Sequence, residues 1–160
     1  ELIIQKAVEL GIVAIQPLAS RNCVVKYDAK KAAAKGKRWQ KIAEEAAKQC
    51  GRTRVPDVLP VQPITDWLKV WKETSASDAA LLFCYENEDR QPIKAALRAL
   101  PEIIRRIVVL IGPEGGFSLP EAAAITEAGG QSVTLGPRIL RAETAAIAAM
   151  SIVQYEKGDL

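Results

Sequence analysis

Residues 107–121 read Ile107-Val108-Val109-Leu110-Ile111-Gly112-Pro113-Glu114-Gly115-Gly116-Phe117-Ser118-Leu119-Pro120-Glu121. Five consecutive apolar residues, four of them β-branched, with no polar alternation, are the mark of a strand covered on both faces, as in a parallel sheet. A glycine-rich turn follows. Ser118-Leu119-Pro120-Glu121 then has the spacing of a capping box, with proline in the first helical turn where its missing N–H costs nothing. A strand, a glycine turn and a capped helix in succession are one half of a βαβ unit. In open α/β sheets ligands bind at the carboxyl ends of the strands.

Working outward, the same alternation recurs. Ala79–Cys84 (AALLFC) reads as a buried strand, Pro92–Leu100 as a helix, Ser118–Ala128 as a helix and Ser132–Leu135 as a strand. Glu143–Tyr155 reads as a terminal helix that is apolar around nearly its whole circumference, a pattern of burial on more than one side. Nearer the start, residues 1–10 read as a helix stopped by Gly11, and Ile12–Leu18 as a strand broken by Pro17. Residues 30–50 read as a helix stopped by Gly51, with its KKAAAKGK opening expected to be frayed or loop. Val58–Val61 reads as a short strand, and Thr65–Glu73 as a helix capped by Thr65. The expected architecture is one α/β domain with a mostly parallel sheet.

Composition narrows the function. The 160 residues carry 22 Lys/Arg and 19 Asp/Glu, are 49% hydrophobic and contain no histidine. A Ser-His-Asp triad, a Cys-His pair and an imidazole-dependent zinc site are thereby excluded. Cys23, Cys50 and Cys84 are too scattered for a disulfide framework or a C-x-x-C metal pair, so no metal is expected, and this usage suits a reducing cytoplasm. The longest uncharged run, Thr144–Tyr155, is 12 residues, too short to span a bilayer. Charge is unevenly placed. Residues 21–54 hold eleven Lys/Arg against three acids, a local net charge of +8. Such a segment attracts a polyphosphate backbone. It is equally a solvated helix face, in which Lys41/Glu45 and Glu44/Lys48 pair at i,i+4 spacing.

Two turns carry the chemistry. Gly112, Gly115 and Gly116 permit close approach of backbone to a ligand, although glycines also serve ordinary turns. Glu114 between them contributes nothing to turn geometry. The loop is neither a Walker A motif, lacking Gly-Lys-Ser/Thr, nor G-x-G-x-x-G. The second turn is Leu135-Gly136-Pro137-Arg138-Ile139-Leu140-Arg141-Ala142-Glu143-Thr144. Its apolar Ile139-Leu140 pair can wall a flat ligand or plug the core. Its two arginines can hold phosphate or carboxylate, or simply face solvent.

Taken together, IGPEGGFS and LGPRILRAETA resemble the RsmE family, bacterial methyltransferases acting on a uridine of small-subunit ribosomal RNA, within the trefoil-knotted SPOUT superfamily. The resemblance continues through Ile4–Gly11 (IQKAVELG), Ser20-Arg21, Arg38-Trp39, Glu45–Arg52 (EAAKQCGR) and Val55-Pro56. It implies a C-terminal knot, a homodimer, S-adenosylmethionine as methyl donor and ribosomal RNA of the small subunit as partner. It also implies an RNA-binding β-barrel domain ahead of residues 1–160; the chain opens at Glu1 within a helix pattern, and a preceding part is expected. Donor-binding candidates are Leu82, Phe83, Ile111, Gly112, Gly115, Gly116, Leu135, Gly136, Ile139 and Leu140. Glu114 and Glu143 are candidates to take the N3 proton or face the positive donor. Arg138 and Arg141 are candidates for the developing uracil oxyanion or RNA phosphate. Arg21, Arg38 and Arg52 are the expected RNA track. At 142 the family's usual Thr is Ala, so no hydroxyl role carries over. A non-catalytic RNA-binding module of the same fold, or a SPOUT enzyme for another RNA nucleotide, stays open on sequence.

Overall fold

The computed structural model describes all residues from Glu1 to Leu160. In chain order the elements are α1 (Leu2–Glu9), β1 (Ala14–Ile15), β2 (Leu18–Ala19), α2 (Ala29–Cys50), β3 (Asp57–Val58), β4 (Gln62–Pro63), α3 (Ile64–Thr74), β5 (Ala79–Cys84), α4 (Ile93–Ala99), β6 (Arg106–Ile111), α5 (Leu119–Glu127), β7 (Gly130–Val133) and α6 (Ala142–Lys157). Every strand pairing is parallel. β6, β5 and β7 form a three-stranded sheet in that order. β1 with β3, and β2 with β4, make two further two-residue pairs. The α/β class and the parallel sheet are as the sequence indicates.

Side chains on the central strand alternate between two cores, as period-two geometry requires. Leu81 and Phe83 point to one face, where Ile64, Leu68 and Trp71 of α3 and Ala122 and Ile125 of α5 pack with Leu110 and Phe117. Leu82 points to the other, against Ile93, Ala96 and Leu97 of α4, Val133 and Ala149 of α6. A third cluster joins α1 to α2 through Ile4, Val8, Ala43, Ala46 and Ala47. Each buried leucine or phenylalanine of this kind contributes about 1.5–3 kcal/mol by leaving water.

Several boundaries differ from the sequence reading, each for a local reason. The KKAAAKGK stretch is fully helical, because Asp28 caps α2 by accepting from the Lys31 N–H at 2.8 Å and alanine favours helix. Thr65 does not cap α3; Pro63 takes the N-cap position and Ile64 is buried at the first turn. β7 begins at Gly130 rather than Ser132. A Cβ at Gly130 would lie 2.5 Å from Ile125, so a glycine is needed where the strand starts tight against α5. The two expected ion pairs within α2 do not form; its charges pair as Lys31–Asp28 and Arg38–Glu1.

β5 connects through α4 to β6 on one side, and β6 connects through α5 to β7 on the other. The carboxyl end of β5 is therefore a topological switch point, the place where α/β sheets open a crevice. There the 85–92 loop closes around the end of β7: the Tyr85 N–H donates to Val133 O, the Thr134 N–H to Gln91 O and the Ile93 N–H to Thr134 O. Glu88 braces this loop, accepting from the Arg90 and Gln91 N–H groups and from the Ser132 hydroxyl. The Ser132 hydrogen bond, followed by those backbone bonds, holds the Glu88 carboxyl below its ordinary pKa.

Candidate active site

At the switch point lies an open cleft of about 630 Å³, walled by residues 84–86 at the end of β5, by 111–114 and 116–117 at the end of β6, and by 133–143 with Ala145, from the end of β7 into α6. The two motif loops, separated in sequence by α5 and β7, form its opposite sides because β6 and β7 flank β5. Of the donor-binding candidates, Ile111, Gly112, Gly116, Leu135, Gly136, Ile139 and Leu140 line it. All four charged candidates, Glu114, Arg138, Arg141 and Glu143, line it as well, and all four are exposed.

The first loop is held by a turn in which the Gly116 N–H donates to Pro113 O at 2.8 Å. Gly116 sits at φ +64°, a backbone conformation that favours glycine, and a Cβ there would displace the Glu86 carboxylate, whose Oε1 lies 2.7 Å away. Phe117, 7% exposed, anchors the loop's end by stacking edge-on against Phe83 with centroids 6.1 Å apart. The capping box is formed as its spacing indicates: Glu121 accepts from the Ser118 N–H and hydroxyl, and the Glu121 N–H donates back to the Ser118 hydroxyl. In the second loop Gly136 takes φ +114° and exchanges hydrogen bonds with the Thr134 hydroxyl. Arg141 is the N-cap residue of α6 and uses no side-chain atom for capping, which leaves its guanidinium free at a helix N-terminus.

Three donor-binding candidates lie elsewhere. Leu82 and Phe83 are each 1% exposed and belong to the two cores. The residues of this segment that reach the cleft are Cys84, the last of β5, and Tyr85 and Glu86 just beyond it. Gly115 faces the chain turn at residue 22, where Asn22 Cβ lies 3.1 Å from the place of a Gly115 Cβ. Burial pushes the Cys84 thiol up to about 12, so it is neutral at physiological pH and no nucleophile. Sequence reasoning missed Glu86; the usable signal was its place just past the carboxyl end of a buried strand.

The RNA-track candidates part ways. Arg21 is exposed, and its backbone N–H donates to Glu121. Arg38 is exposed and pairs with Glu1 at 2.8 Å. Arg52 points inward: Nη1 donates to Val8 O and Ile12 O, each at 2.9 Å. It ties down carbonyls at the end of α1 and beyond. No group of three or more His, Cys, Asp or Glu side chains stands where it can hold a metal ion. No helix is long and apolar enough to cross a membrane.

An α/β domain of parallel strands with a glycine-lined cleft at the switch point has the form of a ligand-binding domain. The RNA methyltransferase domain family matches residues 1–154, and the chain belongs to that family. Among curated relatives, the ribosomal RNA small subunit methyltransferase E of Bacillus subtilis is 38% identical over 98% of this chain and 60% of its own length. That of Buchnera aphidicola is 36% identical over 98% and 60%. A Legionella pneumophila methyltransferase solved with bound SAM superposes with a TM-score of 0.84 at 35% identity, over 99% of this chain and 62% of that one. The Neisseria gonorrhoeae ribosomal RNA small subunit methyltransferase E, bound to S-adenosyl methionine, gives 0.81 at 39% identity, over 95% and 59%. The chain thus spans about 60% of the length of these relatives.

Proposed function

We propose that the protein transfers a methyl group from S-adenosylmethionine to N3 of a uridine in small-subunit (16S) ribosomal RNA. The observation that carries this reading is the meeting of the 111–117 and 133–143 loops around one cleft. Its volume suits a nucleoside-sized ligand, and Gly116, at φ +64° and without a side chain, lets the loop backbone come close to a ligand. The relatives named above, two of them solved with this donor, support the same choice.

S-adenosylmethionine, when bound, supplies an electrophilic methyl group on a sulfonium. The chain's own residues have three tasks. Backbone groups of 112–114, 116 and 134–136, with the apolar Leu135, Ile139 and Leu140, hold and orient the donor, and alignment is the larger part of a displacement of this kind. Glu114 or Glu143 accepts the proton from uridine N3, since the imide nitrogen attacks only once deprotonated and histidine is absent. Arg141 and Arg138 face the charge that builds on the uracil oxygens, or the neighbouring phosphate. The Arg141 guanidinium acts there together with the positive end of the α6 dipole. Because N3 is paired within an RNA duplex, the target base is taken single-stranded or flipped out.

The remaining expectations form part of the same proposal. The 133–134 segment, enclosed by hydrogen bonds from 85–93, supports a C-terminal trefoil knot of the SPOUT kind. A homodimer is supported by α6, whose Ile147 and Met150 stay half-exposed, and by Ile139, 89% exposed on the cleft rim; a second copy covering this side would exclude water from the charged groups. We further propose that residues 1–160 are the methyltransferase domain of a cytoplasmic enzyme whose RNA-binding β-barrel domain lies upstream. Arg21 and Arg38, with the basic face of α2, then continue the RNA track. The test is incubation with unmodified small-subunit RNA or particles and S-adenosylmethionine, followed by mass spectrometry of nuclease digests. N3-methyluridine at a single position is expected. A methyl group on another base, or none with donor bound, would overturn the assignment.

A further inference from the structure

The turn at residues 21–22 opens the basic segment, yet its polar contacts reach about a hundred residues along the chain. Asn22 Nδ2 donates to Gly115 O at 2.9 Å and to Gly116 O at 3.1 Å. Beside it the Arg21 N–H donates to Glu121 Oε1 at 2.7 Å. The turn is itself fixed, because the Ser20 N–H and hydroxyl both lie within hydrogen-bonding distance of Cys23 Sγ and the Cys23 N–H donates to Ser20 O. Gly115 and Gly116 belong to the loop that walls the cleft, and Gly116 lines it.

From this geometry we infer that Asn22 is a positioning residue for the donor-binding loop: its one amide group grips two consecutive carbonyls of the glycine turn and holds that turn open for the donor. The inference rests on the cleft being the donor site. The chemistry is specific to a donor group. Two adjacent carbonyl oxygens present only acceptors, so the group opposite them must donate, and a primary amide supplies two N–H bonds where a hydroxyl supplies one. The close packing of Asn22 Cβ over Gly115 explains why that glycine faces the turn rather than the cleft. It also gives the basic segment a mechanical connection to the donor loop. A ligand that orders residues 21–22 therefore also orders 115–116, and by linkage the reverse holds.

The experiment compares wild type, Asn22→Asp and Asn22→Gln by calorimetric titration with S-adenosylmethionine, alongside thermal melts. Asn22→Asp has the same shape but sets a carboxylate against two carbonyls; Asn22→Gln keeps the amide. The expected result is a loss of donor affinity in Asn22→Asp of about tenfold or more, equivalent to about 1.4 kcal/mol, with Asn22→Gln recovering most of it. The melting temperatures of all three should agree closely, since the side chain lies outside every core cluster. Equal affinities in Asn22→Asp and wild type would overturn the inference while leaving the donor site intact. So would loss of affinity matched by a fall in melting temperature and not restored by Asn22→Gln. Absence of donor binding by wild type would instead overturn the reading of the cleft, and the inference with it.

Discussion

The two ends of the central sheet are built from the same strands and differ in nearly everything else. At the amino end a cavity of about 310 Å³ is lined by Trp71, Leu81, Leu82, Leu100, Ile104 and other small or apolar residues, with Gln131 and Ser75 the polar ones. No ionisable side chain lines it. Trp71 satisfies its indole N–H on Ala128 O. At the carboxyl end the cleft is twice as large and carries Glu86, Glu114, Glu143, Arg138 and Arg141. Parallel strands put all their loop variation at one end for ligand chemistry, while the other end closes the core. Residues with almost the same sequence neighbourhood, such as Leu82 and Glu86, thus have opposite roles.

The strongest test of this contrast is Arg141→Ala. The side chain makes no capping bond and lies outside the cores, so the melting temperature should hold while methylation falls by about a thousandfold, the scale of losing one charge-stabilising donor. Near-normal turnover in a single-turnover assay would remove Arg141 from the chemistry. Leu82→Ala should behave in the opposite sense. It should cost about 3 kcal/mol of stability in denaturant melts, as truncation of a fully buried leucine does, and the folded fraction should still bind donor. Gly116→Val comes next: the +64° φ and the contact with Glu86 should lower donor affinity by about tenfold or more in calorimetry. Unchanged affinity would count against this loop as the donor wall.

The smallest effect concerns acid. Burial works against the Glu121 carboxylate, but hydrogen bonds from the Arg21 N–H and from Ser118 outweigh it and hold its pKa below the ordinary value. A carboxyl depressed in the folded state stabilises fully above its unfolded pKa, about 4.3. That contribution is lost as pH falls through the lower folded value. Glu121→Gln should therefore melt a little below wild type at neutral pH, and the gap should close in strong acid. A gap that widens with acid would contradict the capping account.

Much of this contrast was legible in the sequence because it depends on local pattern. The uninterrupted apolar run at 107–111, the capping box at 118–121 and the two glycine turns are short-range signals, and the structure places both turns on one cleft. What was not legible depends on long-range geometry. Period-two alternation shows which face Leu82 and Phe83 occupy but not where along the strand the sheet ends, so the cleft-facing residues are the next three, Cys84 to Glu86. A basic residue in a basic segment looks the same in sequence whether it faces solvent, as Arg21 does, or binds carbonyls 40 and 44 residues away, as Arg52 does. The two-residue strands β1–β4 are too short to show any period. Asn22 carried no local signal at all, since its partners lie 93 and 94 residues on.

On the proposed function the carboxyl-end cleft, and not the amino-end cavity, receives the methyl donor. A backbone amide NMR titration of the isotopically labelled protein with S-adenosylmethionine tests it directly. Saturable shifts concentrated at residues 84–86, 111–117 and 133–145, with Gln131, Gly129 and Ile104 unmoved, are the predicted result. Shifts centred on the amino end, or none at millimolar donor, would contradict the account.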